Sequence, residues 1–438
     1  MNLKIVLMVI FLKIAFLTLG CKVNQYETEA MRRLFEERGY ISVSAEDNPD
    51  VFVLNSCTVT AESDRKTRQT LRHFKRKSPN AVTVLCGCMA QAFPKSGEEL
   101  KEADIVFGNT DHSRVPDLVE EFLSARKRIV AVEPHETGES YKTPNICGFN
   151  ERTRAYMKIE DGCNRFCSYC AIPYARGRVR SKDIAEIKNE AETLGKNGYS
   201  EVVLVGINLS AYKFGEYDIC DAVAAVAEIP EISRVRLGSL EPDHITDEML
   251  EKLAGVTKFC PHFHLSLQSG CDETLKRMNR HYDSDFYFDL LTRIRRIFPD
   301  AAFTTDVMVG FVGETEEEFR KSLEFVRKCR FSKCHVFAYS KREGTAAARL
   351  EGHLQNSVKQ RRSAEMIAVG EESQQEFLNS QIGSVYEVIF ETLKQGYTEG
   401  YTKNYIRVRV KTDKPLTGET HLVKLISVEN DYLLGEIL

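Results

Sequence analysis

Short, uninterrupted apolar stretches recur along this chain, and most are followed by a segment with helical periodicity. KIAFLTLG precedes YETEAMRRLFEERG and DVFVLNSC precedes TAESDRKTRQTLRHFKRK; AVTVLCGC, ADIVFGN and the helix-patterned RVPDLVEEFLSA continue the series. A strand with one wet face alternates apolar and polar residues, whereas a strand apolar throughout is buried on both faces. Residues 12–126 are therefore confined to a parallel sheet covered by helices on both sides, an α/β domain. Residues 127–148 read as a linker, because HETGESYKTPN carries Gly, Pro, Ser and Thr with little apolar periodicity.

The alternation resumes over residues 149–378. AYMKIEDGC, EVVLVGIN, RVRLGSLEP, HFHLSLQSG, FTTDVMVGF and KCHVFAYS read as strands with helices between them, which predicts a full or partial barrel of parallel strands. Residues 379–438 change character. YEVIFETL, YIRVRVKT, THLVKLISV and DYLLGEIL read as short strands with turn signals such as GYTEGY between them, a pattern that predicts a small all-β barrel.

The N-terminal MNLKIVLMVIF followed by LTLGC poses a choice for Cys21: lipid-bearing cysteine of an exported protein, or ligand in a reduced one. Lys4 and Lys13 break the apolar run below the roughly 18 residues a membrane helix needs, and Lys13 also splits a signal-peptide core. The first eleven residues read as an extension. Thirteen cysteines, an odd number, argue against a disulfide framework and for a reducing compartment with metal bound by some of them. The expected location is the cytoplasm, with no membrane partner. A net charge of −4 neither demands nor excludes nucleic acid, since local patches decide.

Cys163-Asn-Arg-Phe-Cys167-Ser-Tyr-Cys170 is the strongest local signal. Three thiolates on one short loop can hold a cubane iron–sulfur cluster and leave its fourth iron open to a substrate. Zinc with a distant fourth ligand is the alternative. A second set lies at strand ends: Cys21 after the first strand, Cys57 after the second and Cys88 after the third. The carboxyl edge of a parallel sheet is where ligands gather, so these three can meet. Cys86 competes with Cys88, but Cys86 lies inside the apolar strand and Cys88 beyond it. Three unrelated buried cysteines are the plain alternative. Cys147, Cys220, Cys260, Cys271, Cys329 and Cys334 share no spacing and read as structural.

With this triplet after a strand, the chain resembles the radical S-adenosylmethionine (SAM) enzymes. TLGCKVNQYETEAM, VLNSCTVTAESDRKTRQ and GCMAQ resemble the N-terminal domain of the methylthiotransferases among them. MKIEDGCNRFCSYCAIPYARGRVRS, VVLVGINLSAY, RLGSLEP, HLSLQSGCDETLKRMNRHY, TTDVMVGF and HVFAYSKREGT resemble their radical SAM core, a partial (β/α) barrel, and the C-terminal β segment is similar to the RNA-binding TRAM domain. The resemblance spans nearly all of the chain beyond its first eleven residues. One departure is FVGET, where the family usually has Pro in place of Val312; it bears on a turn, not on the cysteines.

The resemblance implies a tRNA methylthiotransferase. CKVNQYETEAM, GINLSAY and YSKREGT look most like the branch acting on threonylcarbamoyladenosine, with isopentenyladenosine in tRNA or a ribosomal protein as the substrates of sister branches. Two [4Fe-4S] clusters are implied, one on Cys163, Cys167 and Cys170 and one on Cys21, Cys57 and Cys88, together with SAM. Cofactors then carry the hard steps, with no protein acid or base singled out as catalytic. Tyr169 is expected at the adenine or in packing, and Gly206 and Asn208 near the methionine moiety or in a plain strand-ending turn, with Ser266 and Gln268 at a strand end under the same two readings. Glu241 and Asp306 are strand-end acids expected to line the pocket. An electron donor such as a flavodoxin or ferredoxin is implied. A non-enzymatic iron–sulfur RNA-binding protein remains the alternative of another class.

Three basic groups are expected to meet phosphate: seven Lys or Arg from Arg65 to Lys77, the alternating Arg176, Arg178 and Arg180, and Arg407, Arg409 and Lys411 on one strand face.

Overall fold

The computed structural model describes residues 12–149, 153–412 and 414–438. The extension read at the first eleven residues lies outside them. The N-terminal sheet is parallel throughout, in the order Ile41–Ser42, Lys13–Thr18, Val51–Ser56, Val82–Gly87, Ile105–Phe107, Ile129–Ala131. Its faces alternate as a doubly covered sheet requires. Ile14, Val53 and Val84 pack with Met31, Phe35 and Phe122 on one side, while Ala15, Phe52 and Leu54 pack with Leu71 and Phe74 on the other. The last strand falls in the stretch read as a linker; it is too short to show periodicity but pairs with Ile105–Phe107.

The six expected strands of the central unit are all present: Arg154–Lys158, Glu201–Val205, Arg234–Leu237 continued by Ser239–Leu240, His262–Leu265, Ala302–Val309 and Lys333–Ala338. Neighbours pair in parallel, and Gly238 divides them into a three-stranded and a four-stranded sheet. Arg154–Lys158 and Lys333–Ala338 are not paired, so the barrel is partial. The N-terminal helix Lys22–Glu37 lays Val23 against Val203, Val205 and Tyr156. At the FVGET departure the turn survives without Pro: the Glu314 amide donates to the Phe311 carbonyl at 3.0 Å and Gly313 has φ +70°. That is a type II turn with Val312 at the position Pro often takes.

Helix Asn356–Ser380 leads into a closed barrel of five strands, paired in the order Val385–Lys394, Tyr397–Thr402, Arg407–Lys411, Tyr432–Ile437, Thr420–Glu429. GYTEGY, expected as a turn, supplies most of a strand. Its inward residues are Thr398, Gly400 and Thr402, all buried, so it carries no apolar alternation to read. Glycine is required there because a Cβ on Gly400 would collide with the Ile389 carbonyl. The barrel docks on the amino ends of the core strands. Arg234 donates to the Tyr401 and Glu387 carbonyls, each at 2.8 Å, and Arg236 to the Lys403 carbonyl at 2.8 Å.

A buried ionic network joins the N-terminal unit to the core. Arg176, fully buried, donates to both Glu27 oxygens at 2.5 and 3.0 Å and to Asp161 at 3.2 Å. Lys158 donates to Glu27 and Asp161, both at 2.7 Å. Arg180 pairs with Asp161 at 3.3 Å and Glu139 at 2.8 Å. This corrects the expectation that Arg176 and Arg180 face phosphate: a +2 spacing shows which residues share a face, not whether that face is wet. Arg178 is exposed, its guanidinium 4.8 Å from the Phe166 ring centroid. Arg407 and Arg409 do share a strand face, but both donate to Glu399 on the neighbouring strand, at 2.7 and 2.8 Å.

Two expectations follow. Gly400→Ala overpacks the barrel and should cost about 1–3 kcal/mol in urea unfolding. Arg176→Met leaves Glu27 and Asp161 short of a buried partner and should cost about 3–5 kcal/mol. Burial alone would raise the Glu27 pKa, but Arg176 and Lys158 outweigh it and hold it down from 4.5 to about 2. A depressed folded-state pKa stabilises fully above the unfolded value, so this contribution should fade as the pH falls from about 4.5 toward 2. Unfolding measured across that range should show a shallower acid loss in Arg176→Met than in the unaltered chain.

Candidate iron–sulfur and cofactor site

The triplet loop leaves the first core strand through the short pairing of Glu160–Asp161 with Arg180–Ser181. Gly162 makes the turn at φ +86°, where a Cβ would strike the Arg178 carbonyl. The loop is pinned at both sides of Ser168. Its amide donates to the Met278 carbonyl at 2.9 Å, and its own carbonyl accepts from the Ala347 amide at 2.7 Å. Each sulfur has a donor: the Arg165 amide to Cys163 and the Ile172 amide to Cys170, both at 3.4 Å, and the Arg280 guanidinium to Cys167 at 3.3 Å. Such donors suit thiolate ligands, so the residues fit an iron–sulfur cluster. Burial and then the Cys167 sulfur push the Cys170 thiol up to about 12. The Cys163 thiol is raised as well, to about 11 and mainly by burial, so these two hold their protons until a metal displaces them.

The N-terminal cysteines sit at the carboxyl edge of their sheet. Cys21 is the N-cap of helix Lys22–Glu37, Cys57 follows Val51–Ser56, and Cys88 opens the short helix after Val82–Gly87. They are close together: a Cβ on Gly20 would lie 2.9 Å from the Cys57 Cβ. Burial raises the Cys88 thiol to about 12, against the pull of Arg176, with Cys57 and Cys21 adding to the rise. Arg176 Nε donates to Cys88 Sγ at 3.2 Å and Asn109 Nδ2 to the same sulfur at 3.7 Å. Cys86 instead packs with Ile14, Phe35 and Val84 in the apolar layer. Among the described residues, no three His, Cys, Asp or Glu side chains converge on a point for a single metal ion. Thiolates on separate corners of a cubane stand further apart than ligands of one zinc.

The expected SAM contacts are distributed around the carboxyl ends of the core strands. Tyr169 packs edge-on to Phe311, ring centroids 6.3 Å apart, within a small apolar cluster. Gly206 is a close approach: a Cβ there would meet the Glu160 carboxylate. The Asn208 amide donates to Glu160 Oε2 at 2.7 Å, while Glu160 Oε1 and Asn208 Oδ1 are buried without partners. Burial lifts the Glu160 pKa to about 8. Gln268 has φ +67° and exchanges backbone hydrogen bonds with the Asp306–Met308 segment, both at 2.8 Å. The Ser266 carbonyl accepts from Arg280 at 3.2 Å. Glu241 pairs with Arg280, and burial raises its pKa. Asp306 lies 3.4 Å from His264.

Sequence reasoning missed four side chains at this site. Arg280 ties Cys167, Ser266 and Glu241 together, and Arg342 donates to Thr58 at 2.6 Å and Asp64 at 2.7 Å beside Cys57. Glu160 and Glu27 complete the set. All are single residues in loops, strands or helices with no spacing to mark them, and their partners lie up to 284 positions away. Their only signal was membership in stretches that resemble the family.

A model of the radical SAM superfamily matches residues 157–326, and one of an uncharacterized protein family, UPF0004, matches residues 13–108. Threonylcarbamoyladenosine tRNA methylthiotransferase MtaB of Bacillus subtilis is 37% identical over 433 residues, covering 97% of this chain and 96% of the relative. The enzyme of that name from Thermotoga maritima is 38% identical over 79% of both. A tRNA-2-methylthio-N(6)-dimethylallyladenosine synthase from Alkaliphilus oremlandii is 31% identical over 96% of this chain and 88% of its own. Among solved structures, the radical SAM methyltransferase TsrM from Kitasatospora setae shares the fold with a TM-score of 0.56 at 14% identity, over 77% of each chain. Near full-length similarity, a partial barrel with Cys163, Cys167 and Cys170 at its mouth and an α/β unit presenting Cys21, Cys57 and Cys88 lead to one conclusion: this chain is an enzyme of the radical SAM methylthiotransferase family.

Proposed function

We propose that the enzyme transfers a methylthio group to carbon 2 of N6-threonylcarbamoyladenosine next to the anticodon of tRNA. Arg176 supports this reading: it follows the Cys163–Cys170 loop in the chain and donates to Cys88, which ties the segment after one cysteine trio to a member of the other. The trios would hold two [4Fe-4S] clusters, Cys163, Cys167 and Cys170 one and Cys21, Cys57 and Cys88 the other. Bound there with SAM, the clusters supply reductive cleavage to a carbon radical and the sulfur to be transferred. The protein's own part is placement. Arg280 fixes Cys167 against the strand end at Ser266, and Arg342 fixes the loop after Cys57. Gly206, Asn208, Gln268 and Tyr169 shape the space between.

The names of the 37% and 38% identical relatives support the threonylcarbamoyl substrate; those at 31% keep the dimethylallyl alternative in view. Phosphate would meet helix Ala61–Lys77, where Lys66, Arg68 and Arg76 have no carboxylate partner among the described residues. The C-terminal barrel would contribute shape more than charge, given Glu399. We assign residues 12–126, 149–378 and 379–438 to methylthiotransferase, radical SAM and TRAM units. A flavodoxin or ferredoxin as donor and a cytoplasmic location accord with this chemistry. No helix among the described residues is long and apolar enough to cross a membrane.

Nucleoside mass spectrometry of tRNA reacted anaerobically with reconstituted enzyme, SAM and reductant tests the substrate. Methylthio-threonylcarbamoyladenosine alone is expected; the isopentenyl product alone would overturn the substrate and keep the chemistry. The variant lacking Cys21, Cys57 and Cys88 should bind about four iron atoms in place of about eight. It should still release 5′-deoxyadenosine yet form no methylthio product, whereas Cys163→Ala should lose both.

A further inference from the structure

The lumen of the partial barrel holds an open cavity of about 630 Å3, within the range of small-molecule sites. Cys21 and Lys22 line one side, His264, Asp306 and His335 the other, and Tyr405 of the C-terminal barrel forms part of its floor. Most charges in its wall are already matched. Asp306 faces His264 at 3.4 Å, and Arg407 pairs with Asp431 at 3.3 Å and with Glu399 at 2.7 Å. Lys22 is different. Its ammonium lies 5.6 Å from the Tyr156 ring centroid, and no carboxylate of the described residues is within ion-pair reach.

The Lys22 side chain is accessible, but the space it reaches is this cavity. Across the lumen His262 stacks on Tyr405, ring centroids 4.7 Å apart, and its Nδ1 is buried with no partner. The chamber beside Cys21 thus holds an unmatched cation and an unmatched polar ring atom. A cation that faces a cavity without a counter-charge is complemented by a ligand anion in a charge-assisted contact.

We propose that Lys22 is a specificity residue: its ammonium takes the carboxylate of the substituent on N6 of the target adenosine and seats that adenosine beside Cys21. This rests on the substrate reading above and deepens it. A threonylcarbamoyl group brings a carboxylate and a hydroxyl to a chamber lined by Lys22, His262, Thr304 and His335. A dimethylallyl group would fill the same space with hydrocarbon and leave Lys22 desolvated and unmatched. Sites built around a polar contact reject analogues that lack it far more strongly than apolar pockets reject added polarity.

The test is equilibrium binding of anticodon stem-loop RNAs to the reconstituted enzyme. Four RNAs are compared, carrying threonylcarbamoyladenosine, its carboxylate methyl ester, isopentenyladenosine or unmodified adenosine. The unaltered enzyme should bind the acid about 10–100-fold more tightly than the ester, as expected for a charged contact. Lys22→Met should lose that preference by weakening the acid alone, and Lys22→Arg should keep most of it; iron content reports that Cys21 still serves. The ester comparison needs no variant, so it decides the matter even where Lys22→Met fails to fold. Equal binding of acid and ester, or an undiminished preference in Lys22→Met, overturns the proposal. Equal binding with methylthio-threonylcarbamoyladenosine still formed would overturn the role of Lys22 and leave the substrate reading intact. Formation of methylthio-isopentenyladenosine alone would overturn both.

Discussion

The contact between Arg176 and Glu27 sets the relation on which the rest of this molecule depends. Arg176 belongs to the stretch that follows the triplet loop, and Glu27 to the helix that starts at Cys21. Their pairing at 2.5 and 3.0 Å, completed by Lys158 and Asp161, is buried without water access. Removing such charges from water costs several kcal/mol per ion, so the network holds only when every member has its partners. That requirement makes the interface all-or-none in geometry. A shift of the N-terminal unit by one helical residue would break each hydrogen bond at once, and would also move Cys88 away from Arg176 Nε.

The two ends of the core barrel divide the work. At the carboxyl ends, strand termini and loops collect the triplet, Glu241, Gln268 and the Gly206–Asn208 turn, as parallel α/β architectures do generally. At the amino ends, Arg234 and Arg236 reach out to backbone carbonyls of the C-terminal barrel, and Glu201 takes up their charge at 3.9 and 2.8 Å. Tyr405 is inserted there under Arg154 and Arg236, 5.2 and 4.7 Å from its ring centroid. The C-terminal barrel is therefore part of the floor of the lumen.

Charge has been spent differently on the outside. The β-barrel arginines are held by Glu399, while helix Ala61–Lys77 keeps Lys66, Arg68 and Arg76 open beside the Cys57 edge.

Local sequence determined the elements. Continuous apolar runs gave six of the core strands and four of the N-terminal ones their identity, because burial on both faces leaves no other composition for a parallel strand. It placed the cysteines too, since strand ends and a seven-residue cysteine spacing are short-range facts. The strand Tyr397–Thr402 escaped because its buried side is threonine and glycine, and Ile129–Ala131 because three residues carry no period. Only the tertiary structure decided which charges are wet. Arg176 and Arg180 look like surface arginines until Glu27, 149 positions away, closes on the first and Asp161 and Glu139 on the second. Lys22 looks like any helix-start lysine until the barrel wall sets a cavity in front of it. Charge solvation depends on what packs around a residue from every direction, and a sequence records only its two neighbours along the chain.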